Sequence, residues 1–267
     1  MSNQNRSIAV VVGAGGQIGG AIADILSEDY RLALIDRDSA LLSKAIEAHE
    51  SALAFCVDAA SSGEMDRAFA AAGESGTIEV VAIAVGTTIG GSLHELDEDC
   101  WAQTVDSCMT SVFQALRVAV RLLRGRGGAI CVVGSVHADR PQPGFPAYAA
   151  AKAGARALAM QAAVEYGHEG VRVNMVTPGW TRTNHTMGRL TQDDVVALAE
   201  ATPLPELVEP SDVASAVAYL LSPAAHRITG AEIVVDAGSS LLGAQTVLRE
   251  GYRDALGMPR RPGARLT

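Results

Sequence analysis

Residues Ser7–Leu26, SIAVVVGAGGQIGGAIADIL, decide the fold. The opening run is apolar on consecutive positions rather than on alternate ones, which indicates a strand buried on both faces and hence a parallel sheet. Gly13, Gly16 and Gly19 follow at G-x-x-G-x-x-G spacing, and a helical pattern begins directly behind them. A glycine cluster alone means little; its place between a strand and a helix gives it meaning. Glycines let such a turn close tightly and let backbone N–H groups approach a pyrophosphate at the helix N-terminus, where the helix dipole favours negative charge. Gly13, Gly16, Gln17, Ile18 and Gly19 are therefore the expected phosphate-facing residues.

The same rhythm runs outward along the chain. Further strand candidates are RLALID, ALAFCV, EVVAIAV, AICVVG, VRVNMV and AEIVVD, separated by helical segments that include Asp97–Leu123 and AYAAAKAGARALAMQAAVEYG. Repeated strand–helix–strand units predict an α/β fold: one Rossmann-like, doubly wound sheet flanked by helices. The predicted domain covers residues 1–243. Within it, residues from about 180 to 210 carry three prolines with Thr, Asn, His and Met, and are expected to form a long irregular insertion acting as a lid. The polar tail 244–267 is either disordered or docked on a neighbouring subunit.

Composition limits the functional classes. The chain has 267 residues, 48% of them hydrophobic, enough for one large core. A net charge of -9 argues against nucleic acid and against an anionic membrane surface, since both need a basic footprint. No apolar stretch approaches a membrane span, and no basic-then-apolar leader opens the chain, so a soluble cytoplasmic protein is expected. Cys56, Cys100, Cys108 and Cys131 show no C-x-x-C pairing and no accompanying histidine cluster, so no metal site is expected. The two in strand-like runs, Cys56 and Cys131, read as buried reduced thiols.

The second strand ends in Asp36, twenty-three residues beyond Gly13. A carboxylate there can accept hydrogen bonds from an adenosine ribose and would repel a 2′-phosphate, which favours NAD(H). Arg37 beside it could instead greet that phosphate and admit NADP(H), and Asp36 could serve simply as a turn residue or cap. Asp58, followed by Ala59 just beyond the third strand, suits contact with the adenine edge or the capping of the next helix.

Tyr148 and Lys152 lie four apart in YAAAK, with Ser135 thirteen residues upstream of the tyrosine at the end of AICVVGS. Positions i and i+4 share a helix face, so phenol and ammonium can point into one site. An ammonium beside a phenol favours the phenolate, giving a group able to exchange a proton with an alcohol or carbonyl. Ser135 would supply a second hydroxyl to orient the substrate oxygen.

Taken together, the glycine turn, the strand-end serine, Y-x-x-x-K, RVNMVTPGWTRT and ITGAEIVVDAG resemble the short-chain dehydrogenase/reductase family over roughly residues 7 to 240. The resemblance implies a seven-stranded parallel sheet with a nicotinamide cofactor across the carboxyl ends of its strands. It implies Tyr148 as catalytic acid/base, Lys152 on the nicotinamide ribose, and Ser135 on the substrate oxygen. Pro178, Gly179, Thr181 and Thr183 would line the carboxamide. The helices around Tyr148 and Asp97–Leu123 resemble the family's dimer interface, which implies a homodimer or homotetramer.

Three departures from the family pattern stand out. Gln17 occupies a position the family usually gives to glycine. The sequence after the fourth strand is Ile83-Ala84-Val85-Gly86 in place of Asn-Asn-Ala-Gly, although Val85 and Gly86 can still offer backbone to the cofactor. Cys108 falls where an asparagine normally completes the catalytic set, and a thiol is a poor donor and acceptor beside an amide. It is either a packing thiol, a weakened relay member, or a nucleophile.

The expected function is hydride transfer between NAD(H) and a secondary alcohol or ketone. A nucleotide-binding sensor, or a non-redox member of the family with weak or absent turnover, is the alternative. His137, Gln142, Phe145, Trp180, His185 and Met187 either face the substrate or pack loops. Few of them carry charge, so a neutral, partly apolar, cyclic or aryl substrate is expected.

Overall fold

The computed structural model describes residues 6–242 together with Asp254, Ala255 and Gly257; the expected tail at 244–267 otherwise lies outside the described residues. Seven strands form one parallel sheet: β1 Ile8–Val12, β2 Arg31–Asp36, β3 Leu53–Cys56, β4 Ile78–Ile83, β5 Gly128–Val133, β6 Val171–Pro178 and β7 Glu232–Val235. Their spatial order is β3-β2-β1-β4-β5-β6-β7. The helices are α1 Gln17–Leu26, α2 Ser39–Ala48, α3 Ser62–Glu74, α4 Glu98–Val105, α5 Ser111–Leu123, α6 Pro146–Tyr166, α7 Asn184–Met187, α8 Gln192–Glu200 and α9 Pro210–Leu221.

The consecutive apolar residues of β1 have a direct physical reason. Ile8, Val10 and Val12 point into one core with Met65, Phe69, Val112 and Ala155, which come from α3, α5 and α6. Ala9 and Val11 point into the other, with Ile22 of α1 and Val213 and Val217 of α9. Both faces are covered, so neither parity of the strand can be polar. The helices answer with a 3.6-residue stripe: α1 buries Gly19, Ile22, Ala23 and Leu26, and α3 buries Met65, Ala68, Phe69 and Ala72. Each fully buried Ile, Met or Phe adds about 1.5–3 kcal/mol.

Strand register sets up the site. Val12 pairs with Ile35 of β2 and Ile83 of β4, so Gly13, Asp36 and Ala84 emerge together at one edge of the sheet. Val133 pairs with Val176, and Pro178 with Val235, which bring Ser135 and Gly179 to that same edge. Strand order reverses direction between β1 and β4, the place where open α/β sheets leave a crevice.

Several expectations are corrected here. Residues 180–210 are not irregular: they contain α7 and α8, and Thr181 bridges Val208. Thr191 and Asp194 form a reciprocal capping box that starts α8. The segment Asp97–Leu123 is helical from Glu98 to Leu123, as expected, with a π turn at Asp106–Thr110 between α4 and α5. Cys56 is exposed, because β3 is an edge strand with only partial cover. Cys131 is buried as expected, and burial pushes its thiol up to about 12. Among the described residues no helix is long and apolar enough to cross a membrane.

Candidate active site

The glycine turn works by close approach. Gly13 has φ +86°, and a Cβ there would stand 2.5 Å from the carbonyl oxygen of Ala84, so only glycine lets the turn after β1 lie against the end of β4. Gly16 precedes α1 without a side-chain cap, and the first N–H groups of a helix have no partner within it. The carboxylate of Asp36 accepts from Gly15 N at 2.8 Å and Asp38 N at 3.0 Å, which fixes the end of β2 against the turn.

A cavity of about 270 Å³ opens along this edge. Of the residues expected at the cofactor, Gly13, Gly16, Asp36, Arg37, Asp58, Ala59, Val85 and Gly86 line it. Asp58 also accepts from Ala60 N at 2.9 Å, so its turn-forming role is real as well. The sequence reading missed Leu41, Ser107 and Ser111 on the same wall, since nothing in their local patterns distinguishes them. A larger cavity, about 640 Å³, lies among Tyr30, Glu79, Arg126 and Arg172 at the opposite edge of the sheet. It contains none of the groups discussed here, so size does not identify the site.

Gln17, Ile18 and Gly19 stand outside the 270 Å³ cavity. Gly19 is buried in α1 and Ile18 packs beside the α1–α9 core. Gln17 Oε1 accepts the backbone N–H of Asn184 at the start of α7. Beyond β6, Gly179 N donates to Val235 O at 2.9 Å, Thr181 Oγ1 donates to Gly179 O at 3.1 Å, and Thr183 Oγ1 caps α7 by accepting from Thr186 N at 3.2 Å. Pro178, Gly179, Thr181 and Thr183 thus share the strand-end edge with the glycine turn.

Pro146 opens α6 at its first turn, where the missing N–H costs nothing. One turn in, Tyr148 and Lys152 share a face, with Lys152 Nζ 5.8 Å from the Tyr148 ring centre. Lys152 is 3% exposed, and its ammonium donates to two backbone carbonyls, Val85 O at 3.0 Å and Val133 O at 3.1 Å. A buried cation needs such partners, and these two come from the ends of β4 and β5. Gly86, with φ +141°, leaves room for the arrangement: a Cβ there would stand 3.1 Å from both Lys152 Nζ and Cys108 Sγ. Ser135, 8% exposed, caps a short turn by accepting from His137 N at 3.2 Å. Its hydroxyl proton stays available for another oxygen.

Cys108 is fully buried in the π turn, with Sγ 3.4 Å from Thr87 O and 3.5 Å from Ser107 Oγ. Ser107 Oγ accepts from Thr87 N at 3.3 Å and can donate to Thr104 O at 3.2 Å. The hydroxyl beside the cysteine, which the sequence reading passed over, therefore makes the contacts with both a donor and an acceptor. Among the substrate candidates, the His137 ring centre lies 5.6 Å from those of Phe145 and Tyr148 and 6.3 Å from that of Trp180. Gln142 joins none of these ring contacts. His185 and Met187 sit on α7. Arg189, also missed, donates to Thr88 O and lies 6.0 Å from the Phe145 ring centre. Burial pushes His137 down from its usual value, and burial together with the Arg189 charge does the same to His185. Among the described residues no group of three or more His, Cys, Asp or Glu could hold a metal.

Comparison with known proteins places this arrangement in company. A family profile described as Enoyl-(Acyl carrier protein) reductase matches residues 13–240. The chain is 34% identical over 241 residues to a cis-4-hydroxycyclohexanecarboxylate dehydrogenase of Sinomonas cyclohexanicum, an alignment covering 86% of this chain and 95% of the relative. It is 34% identical over 239 residues to a galactitol 2-dehydrogenase (L-tagatose-forming) of Cereibacter sphaeroides, covering 86% and 93%. A crystal structure of an oxidoreductase (short chain dehydrogenase/reductase family) from Burkholderia thailandensis superposes with a TM-score of 0.83 at 29% identity, covering 95% of this chain and 98% of that one.

Proposed function

The chain belongs to the short-chain dehydrogenase/reductase family, and we propose that it transfers hydride between NAD(H) and a small secondary alcohol or the matching ketone. The observation that carries this reading is Lys152, buried beside Tyr148 and held by the strand-end carbonyls of Val85 and Val133. Family members use a nicotinamide cofactor, and the residues suit one: Gly13, Gly16, Asp36, Asp58, Val85 and Gly86 line one cavity along the strand-end edge. Gly16 and the first backbone N–H groups of α1, at Gln17 and Ile18, would face the pyrophosphate, with Gly19 letting α1 lie against Gly13, and Asp36 would face the adenosine ribose. Asp58 and Ala59 would meet the adenine, Val85 and Gly86 would offer backbone, and Pro178, Gly179, Thr181 and Thr183 would hold the carboxamide. When bound, the nicotinamide supplies the hydride acceptor or donor.

The chain's own groups then do the proton chemistry. Ser135 donates to the substrate oxygen, since its own lone pair already accepts from His137 N. Tyr148 takes the alcohol proton in oxidation and returns it in reduction. Lys152 stabilises the charge that develops on the phenol oxygen and also suits the nicotinamide ribose hydroxyls. The segment carrying α7 and α8 would close over the reactants, with His185 and Met187 on its inner helix. NAD is favoured because Asp36, Asp38 and Asp58 surround the adenosine end with carboxylates and only Arg37 opposes them. Trp101 and Phe113 remain 45% and 44% exposed on α4 and α5, which supports pairing with a second copy into a dimer or tetramer.

Two relatives are named for alcohols, one cyclic and one a polyol, and the Phe145 and Trp180 rings gathered around His137 offer apolar surface for either carbon skeleton. The test is titration with NADH and NADPH, followed by oxidation of a secondary-alcohol panel with the preferred cofactor. Tight NADH binding with turnover is expected. Preference for NADPH overturns the cofactor assignment, and tight binding with no turnover across the panel favours a sensor or non-redox role.

A further inference from the structure

The cavity of about 640 Å³, where β4, β5 and β6 begin, carries the opposite charge to the chain around it. The protein as a whole has a net charge of -9, yet Arg126, Arg172 and Arg227 line this cavity with only Glu79 to oppose them, and His226 joins them. Elsewhere Arg117, Arg124, Arg156 and Arg182 each have a carboxylate partner. Among the described residues none of the three cavity arginines lies within ion-pair distance of a carboxylate. Glu79 accepts instead from the Ser7 hydroxyl at 2.6 Å. Arg172 is half-buried and anchored at the end of α9, donating to Leu220 O at 2.7 Å and to Leu221 O and Ser222 O, each at 3.1 Å. A helix end supplies only about half a unit of negative charge, so the wall stays positive. Arg126 and Arg227 are exposed, and their guanidinium groups are accessible to a ligand.

We propose that this cavity is a second binding site, which takes a small organic anion bearing two or more carboxylate or phosphate groups. A guanidinium fork matches either group through paired N–H···O bonds, and a concave wall of one sign concentrates the opposite charge. The acidic remainder of the protein disfavours anions, so attraction is confined to this opening. Its volume falls within the range of small-molecule sites, and Tyr30 on its wall offers a ring to a carbon skeleton. The site is separate from the groups assigned to catalysis. β5 runs from Gly128 at this cavity to Val133 beside Lys152, a span of about 20 Å at the usual rise of a strand. Binding here is therefore independent of the cofactor cavity and does not rest on the dehydrogenase reading.

The experiment is calorimetric titration of the full chain with citrate and with fructose 1,6-bisphosphate, at matched ionic strength, without and with excess NADH. Acetate serves as the singly charged control. At least one of the two probes is expected to bind with a Kd below about 1 mM, at least about tenfold tighter than acetate and equally well with NADH present. Tighter citrate binding assigns the site to carboxylates, and tighter bisphosphate binding assigns it to phosphates. The double variant Arg126→Glu/Arg227→Glu alters two exposed side chains, and its thermal midpoint checks that it folds. It should weaken the preferred probe by about tenfold or more, the usual cost of losing a charged partner. Failure of both probes to bind overturns the inference, as does binding unchanged in the double variant. Acetate binding as tightly as the probes would reveal general ion screening and overturn it. Displacement of the probe by NADH would place the anion in the cofactor cavity, which overturns it as well.

Discussion

The backbone N–H of Asn184 donates to the side-chain oxygen of Gln17, joining the first turn of α1 to the short helix α7. The two residues are 167 positions apart, so the contact ties the start of the fold to the segment that follows β6. Glycine, the residue the family usually carries at position 17, could not make it. The contact ties Gln17 to the segment proposed above to close over the reactants.

Replacing Gln17 by Leu keeps a comparable helix propensity and removes the acceptor. The Asn184 N–H loses a bond worth about 0.5–1.5 kcal/mol, so NADH should dissociate about two- to tenfold faster while the thermal midpoint changes little. Stopped-flow displacement of NADH measures this. An unchanged off-rate would mean that the lid closes without Gln17.

Tyr148→Phe removes the phenol oxygen beside Lys152 and leaves the ring that packs on His137. Turnover should fall by about 10²–10⁴, the usual worth of a positioned acid/base. NADH binding should stay near wild type, because the cavity proposed for the cofactor does not include Tyr148. Wild-type kcat in this variant would sink the proton-transfer assignment.

At the π turn, the two neighbours should separate. Cys108→Ala removes only weak sulfur contacts and should leave turnover within about threefold. Cys108→Asn should match or raise activity if the thiol is a weakened relay member. Ser107→Ala strands the Thr87 N–H that Ser107 Oγ accepts and should cost about 1 kcal/mol of stability with a larger loss of turnover. Greater damage from Cys108→Ala than from Ser107→Ala would reveal a role particular to sulfur.

Acid should weaken the fold through two imidazoles. His137 and His185 are both held below their ordinary values, by burial first and, for His185, by the Arg189 charge as well. The unfolded chain therefore takes up protons before the folded one as pH falls. Stability is held above the ordinary histidine value of about 6.5 and is lost as pH drops through it toward the folded values. Urea midpoints for the wild type and His137→Phe between about pH 8 and 5.5 check this, with a shallower decline expected in the variant. A wild-type midpoint that rises on acidification would contradict the burial of these rings.

Much of the fold is legible in local pattern. Apolar runs located the strands, most of them apolar on consecutive positions because the middle of a parallel sheet is covered on both faces. The glycine turn and Y-x-x-x-K were equally readable, since each works within a few residues of chain. The segment 180–210 was misread because its prolines and polar residues look like loop, although Thr191 and Asp194 carry a capping pattern that marks the start of α8. Cys56 was misread because a strand's composition does not say whether the strand lies at an edge.

The sequence by itself determined which residues form the strands and most of the helices, that a glycine turn joins β1 to α1, and that Tyr148 and Lys152 share a helix face. These properties follow from propensity, periodicity and short-range spacing. Only the tertiary structure decided that Lys152 is held by Val85 and Val133, that Ser107 rather than Cys108 makes the better contacts with Thr87, that Gln17 latches Asn184, and that His137 Nδ1 lies buried without a partner. Each of these joins residues far apart in the chain or depends on what packs around a side chain, and strand order and register alone bring such groups together.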